Sequence, residues 1–158
     1  MAIEQSGNIV PGHVAIWNSP GVIKDGGPLA ASQKVIARLL NADFNADSDQ
    51  PIVLPAAIQA FQLTGIIITG ATASLSVAVG GFYTEADKAG DEIVADTQVY
   101  SALTTYDLLM QATLTSFAQT ARFSRRNLPD WSIYFSLTTP QGAAALADIY
   151  LIGIDITP

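Results

Sequence analysis

The sequence predicts an all-β protein, a β-sandwich with a jelly-roll-like arrangement, preceded by an extended N-terminal arm. Three observations lead to this expectation. Short segments alternate between apolar and polar residues, turn residues separate these segments, and the first thirty residues contain many glycines and prolines. Because no strand–helix–strand alternation and no repeat of fixed period is visible, neither a doubly wound fold nor a solenoid is expected.

The arm is predicted to span residues 1–30 and the sandwich domain residues 31–158. Pro11, Pro20 and Pro28 punctuate the arm, together with five glycines. Proline fixes φ and lacks a backbone N–H, and glycine favours turns, so we expect neither a long helix nor a central strand in this segment.

The arm also carries apolar side chains at intervals, unlike a disordered tail. This pattern is typical of a segment that becomes ordered on another surface, where each buried anchor contributes about 1.5–3 kcal/mol. The alternative is that the arm folds back onto its own domain. The residues predicted to contact a partner are Val10, Pro11, His13, Ile16, Trp17, Val22 and Ile23.

The strand predictions rest on alternation. They are clearest at Trp131–Thr139 and Ala147–Ile156. Ala60–Thr69 and Ser74–Val79 are expected to form a hairpin or bent pair, with Gly80 and Gly81 as turn glycines that end the second strand. Pro28–Leu40 has features of both a helix and a strand, and the favoured interpretation is a short turn followed by a strand. We also expect strands at Ala42–Ala46, Ile52–Leu54 and Asp107–Leu114, and an acidic loop over Phe82–Ala95.

Composition favours self-association and argues against nucleic acid as a ligand. The chain is 49% hydrophobic and only 13% charged, about half the usual charged share of roughly 25%. Large exposed apolar patches are rare on monomers, so part of this surface is expected to be covered by other subunits; the alternative is a monomer with a generous core. A net charge of -7 disfavours phosphate binding. The nearest basic cluster, Arg122, Arg125 and Arg126, is typical of a solvated loop or of intersubunit ion pairs.

The absence of cysteine excludes disulfides, thiolate catalysis and cysteine-based zinc sites. The N-terminus lacks a basic stretch followed by an apolar run, so no signal peptide is expected. The apolar stretches are too short to span a bilayer, so no membrane partner is expected either. We therefore expect a protein made in the cytoplasm that gains robustness through oligomerisation.

No residue pattern supports catalysis. His13 is the only histidine and lies in the arm, whereas a general base needs fixed geometry and an orienting partner. Glycoside hydrolysis needs two carboxyl groups roughly 5–9.5 Å apart in a cleft, but the acidic residues crowd into the exposed loop that follows Phe82. Phosphate-binding and dinucleotide-binding glycine motifs are absent. The sequence predicts a protein that is not an enzyme and has no cofactor.

One acidic segment has the spacing of a calcium loop, with oxygen-bearing side chains at alternate positions. The pattern then fails, since Ser48 stands where the turn glycine belongs and Leu54 where a bidentate glutamate belongs. A polar turn is the default interpretation. A weak calcium site is the alternative, with the ligands Asp43, Asn45, Asp47 and Asp49.

Two stretches resemble structural proteins of tailed-phage particles. Pro11–Trp17 followed by Gly21–Gly27 has a Gly-His pair, an aromatic residue four positions after the histidine, and an apolar-x-Asp-Gly-Gly turn. Such segments occur near the N-termini of many phage structural proteins. The second stretch, similar to uncharacterised head or tail proteins, runs from Asn45 through Ile66–Thr69, Gly80–Thr84, Val99–Thr104 and Leu137–Thr139 to Ala147–Tyr150.

The resemblance implies a trimeric capsid cement or decoration protein, or the base domain of a fibre. The expected partners are other copies of the chain, with a trimer favoured, and the major capsid protein or another virion protein. The expected location is the virion, on the capsid exterior. The alternative is a head- or tail-fibre module that binds a host receptor or glycan, but the chain lacks the heptads of a fibre shaft. An acidic surface would suit basic patches on a shell and limit binding to packaged DNA.

Overall fold

The computed structural model describes residues 4–5, 13–19, 22–28 and 32–158, and the side chains of the last range. Contacts divide the chain into two compact units, Met1–Ser32 and Gln33–Pro158. The regular secondary structure of the second unit is almost entirely β-strand, arranged in two antiparallel sheets that pack against each other. The predicted β-sandwich is therefore confirmed.

The first unit contains a small sheet of three strands, β1 (Glu4–Gln5), β2 (His13–Ser19) and β3 (Val22–Pro28), in the order β1-β3-β2. β2 and β3 are antiparallel, and β1 pairs in parallel with β3. The backbone is extended, but the expectation that this segment holds no central strand is wrong, because β3 has a neighbour on each side. Pro28 is the last residue of β3, so its missing N–H interrupts no interior ladder.

The sandwich domain contains nine strands and one short helix within residues 32–158. The β12 sheet consists of the strands β4, β6, β9, β10 and β12, and the β11 sheet of β5, β7, β8 and β11. Their bounds are β4 (Gln33–Asp43), β5 (Gln50–Val53), β6 (Ala60–Thr69), β7 (Val79–Tyr83), β8 (Glu92–Val94), β9 (Leu109–Ala112), α1 (Ser116–Thr120), β10 (Arg122–Ser124), β11 (Ser132–Thr139) and β12 (Leu146–Asp155).

The strand order is that of a jelly roll. β10 and β9 pair with opposite ends of β6, so the two can be counted as one interrupted strand. The β12 sheet then contains the first, eighth, third and sixth strands of the domain, and the β11 sheet the second, seventh, fourth and fifth. Every connection crosses between the sheets except the β7–β8 link and the link within the interrupted strand. This alternation is the double Greek key of a jelly roll.

The core fills the space between the two sheets. In β12 the buried residues alternate with half-buried ones, and Ile149 and Leu151 are fully buried. From the β11 sheet, Phe135 lies against Phe44, with ring centroids 4.9 Å apart, and against Phe82 at 5.0 Å. Since both sheets contribute large side chains with no exposed surface, apolar burial is the main source of stability.

A predicted strand at Ser74–Val79 is wrong. Residues 70–78 form an irregular connection, and only Val79 belongs to a strand, the first position of β7. The backbone N–H groups of Val77 and Ala78 both donate to Oε1 of Gln141, at 3.0 and 3.1 Å. Leu75 is buried while Val77 is half exposed. The alternation of apolar and polar residues in this segment therefore belongs to a loop fixed by hydrogen bonds to Gln141, and not to a half-buried strand.

The expectation that Gly80 and Gly81 form a turn is also wrong, because both lie inside β7. A Cβ atom on Gly80 would lie 2.4 Å from the carbonyl oxygen of Ser136 on β11, and one on Gly81 would lie 2.4 Å from that of Val94 on β8. Neighbouring backbones approach too closely at these positions for any side chain. Glycine within a strand often marks such an approach.

The remaining predictions agree with the structure to different degrees. Ala60–Thr69 matches β6 at both ends, and strands occur as predicted around residues 33–43, 50–53, 109–112, 132–139 and 146–155. The segment Ala42–Ala46 is not a separate strand, since β4 ends at Asp43 and a turn follows. The sequence did not predict β7, β8, β10 or α1. In the described ranges α1 is the only helix, and it is far too short to cross a bilayer.

Candidate interaction site

A groove at one end of the domain brings together three of the seven basic residues of the chain. We call it the arginine groove. Its volume is about 560 Å³. Strand β10 and the turn after it form one wall, and the segment before β6, with the last residue of the chain, forms the other. The lining residues are Ala56, Gln59, Ala60, Arg122, Ser124, Arg125, Arg126 and Pro158.

The side chain of Asn127 closes the turn that carries the arginines. Oδ1 of Asn127 accepts a hydrogen bond from the backbone N–H of Ser124 at 2.7 Å, and its Nδ2 donates to the carbonyl oxygen of Arg122 at 2.9 Å. The next residue, Leu128, is fully buried and donates its N–H to the carbonyl oxygen of Ser124. Because asparagine closes the turn and leucine anchors it, Arg125 and Arg126 are presented at a defined corner.

Arg125 is fixed further by an aromatic contact. Its guanidinium carbon lies 4.7 Å from the ring centroid of Trp131, a cation–π distance. Trp131 has φ of 51°, an unusual conformation for a bulky residue. Its backbone N–H donates to Leu128, and its carbonyl oxygen accepts from Leu54, both at 3.0 Å. The surrounding structure thus imposes the conformation that places the indole beneath Arg125.

The three guanidinium groups are exposed and have no acidic partner in their own domain. Within residues 32–158 the single ion pair joins Lys34 to Asp155, so no carboxylate of this range lies within 4.0 Å of Arg122, Arg125 or Arg126. The planar guanidinium fork matches carboxylates and phosphates in bidentate geometry. The residues that line the groove include no imidazole or carboxylate side chain that could act as a general base. This arrangement can bind an anion.

The acidic loop, residues 84–91 between β7 and β8, is shaped by its own hydrogen bonds. The N–H of Asp91 donates to Oγ1 of Thr84 at 2.8 Å, and Lys88 donates to Thr138 on β11 at 3.3 Å. Asp87, Lys88 and Gly90 have positive φ, and a Cβ on Gly90 would collide with Thr84. Burial and the acidic side chains of Asp96, Glu92 and Asp49 raise the pKa of the neighbouring Tyr83 to about 12. The loop is an acidic surface of defined shape.

Three of the four predicted calcium ligands accept hydrogen bonds from backbone N–H groups. Oδ1 of Asp43 accepts from the N–H of Asn45, and Oδ1 of Asn45 accepts from the N–H of Gly142, both at 2.8 Å. Oδ2 of Asp49 accepts from the N–H of Asp87. Asp47 is exposed. In the part of the chain that the structure describes, no three histidine, cysteine, aspartate or glutamate side chains form a group that could hold a metal ion.

The predicted partner-binding residues of the arm lie partly on strands. His13, Ile16 and Trp17 belong to β2, and Val22 and Ile23 belong to β3. In the β2–β3 pairing Trp17 stands opposite Ile23. The remaining two residues, Val10 and Pro11, lie outside the described residues, so the binding role of this set stays a prediction.

The outward side of β12 is apolar, although the neighbouring strands place the polar residues Arg38 and Gln62 on the same face of the sheet. In β12, Tyr150, Ile152 and Ile154 alternate with the core residues and are half-buried. Ile152 stands opposite Val35 of β4, which is 50% exposed, and at the other edge Leu109 is 62% exposed. Strands that are apolar on both faces are typical of sheets covered on both sides. This face is a second candidate interaction surface.

Sequence reasoning found the three arginines but not the groove. Trp131 was predicted as a strand residue, and the opposite wall of the groove lies more than sixty positions earlier in the chain. The tryptophan that follows the Arg-Arg-Asn-Leu-Pro-Asp turn is the local signal that could have suggested a stacked arginine. The chain matches no protein-family model, and neither the curated proteins nor the solved structures contain a match to it.

Proposed function

We propose that this chain is a non-enzymatic structural protein of a phage particle, a cement or decoration protein on the capsid exterior. The observation that carries the proposal is the apolar stripe on the outward side of β12, where half-buried Tyr150, Ile152 and Ile154 lie beside exposed Val35. A surface of this kind is uncommon on a monomer and typical of an interface. The proposal therefore includes self-association, with a trimer favoured, and contact with the major capsid protein.

In this proposal the N-terminal unit attaches the domain to the particle. Its strands β2 and β3 carry five of the predicted contact residues, His13, Ile16, Trp17, Val22 and Ile23. Separate compact units allow one to bind a shell while the other packs against copies of itself. The phage assignment itself rests on the resemblance of Pro11–Trp17, Gly21–Gly27 and the second stretch to phage structural proteins.

The direct test is to locate the protein in a particle. Particles released from a host that carries the gene would be purified and examined by mass spectrometry and by image reconstruction. The proposal expects many copies on the outer surface of the head, at symmetry axes of the shell. Absence of the chain from purified particles, or its restriction to a fibre tip together with binding to host cells, would overturn the cement role. The second result would support the fibre alternative.

The attachment role has its own test in the full-length chain. Trp17→Ala is expected to weaken binding to particles that lack the protein by about tenfold or more, since one buried anchor contributes about 1.5–3 kcal/mol. Lys24→Ala, a substitution on β3, is the matched control and should bind as wild type does. Equal binding by wild type and by the Trp17→Ala variant would show that the arm does not attach through this side chain.

A further inference from the structure

The arginine groove and the acidic loop are complementary in charge. Arg122, Arg125 and Arg126 are exposed at the groove, and no carboxylate of residues 32–158 is paired with them. Their number is notable in a chain of net charge -7 that has only seven basic residues. An arginine cluster held by a closed turn and an indole is pre-ordered, so little side-chain entropy remains to be lost when it binds.

The acidic loop carries negative charge, and its carboxylates form no ion pair within residues 32–158. Glu85, Asp87 and Asp91 are exposed, and no cation of residues 32–158 forms an ion pair with them. Lys88, the cation within the loop, donates to Thr138 and forms no ion pair with Glu85, Asp87 or Asp91. The left-handed residues Asp87 and Lys88 give the loop a tight turn at its tip.

We infer that the arginine groove of one copy receives the acidic loop of a second copy. The two surfaces belong to one domain and are not paired within it, so the contact would form between molecules. Each copy would then use two different patches, which makes the interface heterologous. Heterologous contacts close into rings when the rotation between copies is suitable. A ring of three would be the trimer, and this inference rests on the self-association in the proposed function.

Physical chemistry favours a loop of this chain over a free anion in the groove. Three guanidinium groups spread along one wall match several carboxylates carried on one backbone, and bidentate pairs are among the strongest charge-assisted hydrogen bonds. Complementary patches also speed encounter and fix the register of the two partners. An association of this kind weakens with salt, because the charges at its rim are screened.

The test is a charge swap in the full-length chain, measured by sedimentation velocity across a range of protein concentrations and salt concentrations. Arg122→Glu with Arg126→Glu reverses the groove, while Arg125 and its contact with Trp131 are left intact. Glu85→Arg with Asp91→Arg reverses the loop. Each pair is expected to weaken self-association at least tenfold. The chain that carries all four substitutions is expected to regain self-association, since both patches are then reversed.

The control separates specific pairing from net charge. Arg122→Gln with Arg126→Gln lowers the net charge by two, and so does Thr104→Glu with Ala144→Glu, at exposed positions that belong to neither patch. Only the first pair should weaken self-association. A monomeric wild-type chain, or failure of the fourfold variant to recover while its circular dichroism and melting temperature are normal, would overturn the inference. If that variant misfolds, the groove-reversed chain and the loop-reversed chain are mixed instead. The two chains should associate with each other, and neither should associate with itself.

The failure of this inference and the failure of the proposed function give different results. A charge-swap rescue in a protein that never occurs in particles would support the interface and reject the phage role. A protein found on capsids whose reversed variants still associate like wild type would keep the phage role and reject this interface.

Discussion

The two sheets of the sandwich have equivalent inner faces and contrasting outer faces. Both contribute fully buried residues to the core, such as Phe135 from the β11 sheet and Phe61 from the β12 sheet. On the outer side of the β11 sheet, Ser136 and Tyr83 are buried, Lys88 of the acidic loop donates to Thr138, and Val53 is exposed on the edge strand β5. On the outer side of the β12 sheet, half-buried Tyr150, Ile152 and Ile154 form an apolar stripe between Arg38 and Gln62.

The two outer faces differ in how much of their surface the chain itself covers. In the middle of the β11 sheet the outward side chains of Ser136 and Tyr83 are buried by the chain itself, so this part of the face needs no partner. A face with half-buried Ile152 and Ile154 beside exposed Val35 loses free energy to hydration unless another surface covers it. The two outer faces should therefore respond differently to substitution, and the inner faces should respond alike.

The largest effects are expected at the inner faces. Phe135→Ala removes a ring that lies 4.9 Å from Phe44 and 5.0 Å from Phe82. Phe61→Ala removes a ring stacked on Phe123 at 5.3 Å. Each should lower the free energy of unfolding by about 3–5 kcal/mol, measured by urea denaturation. A large loss for one variant and almost none for the other would show that the inner faces are not equivalent.

The next largest loss of stability is expected where two strands of the β11 sheet approach each other closely. Gly80→Ala would place a Cβ 2.4 Å from the carbonyl oxygen of Ser136, so β7 and β11 must move apart. The expected loss is about 1–3 kcal/mol, the usual range for overpacking. Gly142→Ala is the control: Gly142 has φ of 81°, and a Cβ added there would meet no atom within 4 Å, so it tests the left-handed backbone alone. Thermal denaturation of both variants would distinguish the collision with Ser136 from strain in a left-handed backbone. A Gly80→Ala variant as stable as the wild type would contradict the close approach of β7 and β11.

The sequence predicted most of the sandwich because alternation is a local property. β6 was predicted at both ends, and β11 and β12 within one residue, since each has apolar residues at every second position. The same rule failed at Ser74–Val79, where Gln141 supplies the hydrogen-bond acceptor from more than sixty positions away. Gly80 and Gly81 appeared to be a turn because their collision with neighbouring backbones is not visible locally.

The candidate site was predictable only in part, for the same reason. Arg122, Arg125 and Arg126 are visible in the sequence as a cluster. The stacking of Arg125 on Trp131 requires the unusual conformation of the tryptophan, and the opposite wall around Gln59 comes from a distant segment. Composition did not indicate where apolar side chains would be exposed, whereas the strand register places Tyr150, Ile152 and Ile154 on the outward side of β12.

A smaller effect tests the contrast between the outer faces directly. Ile152→Ser removes a half-buried aliphatic side chain opposite Val35, and should lower stability by about 1 kcal/mol. Thr138→Ala changes an exposed residue of β11 and should stay within about 0.5 kcal/mol of wild type. If another copy covers the β12 face, the loss for Ile152→Ser will grow with protein concentration, because association stabilises the wild type. If Ile152→Ser and Thr138→Ala lost the same stability at every protein concentration, the two outer faces would not differ in this way.

The smallest effect on stability is expected for the ion pair that links β4 to β12, in which Lys34 donates to Asp155 at 2.7 Å. This hydrogen bond, with others from Thr157, lowers the pKa of Asp155 from 3.8 to about 2. A depressed carboxyl pKa stabilises the fold above the unfolded pKa, and this contribution disappears as the pH falls from about 4 to about 2. Lys34→Met should therefore cost less than about 1 kcal/mol at neutral pH, the range of exposed pairs. Its difference from wild type should shrink as the pH falls through about 2 and vanish at lower pH, when the free energy of unfolding is measured against pH. A difference that persists at pH values below the pKa of Asp155 would assign the role of Lys34 to packing of its methylene groups and not to its charge.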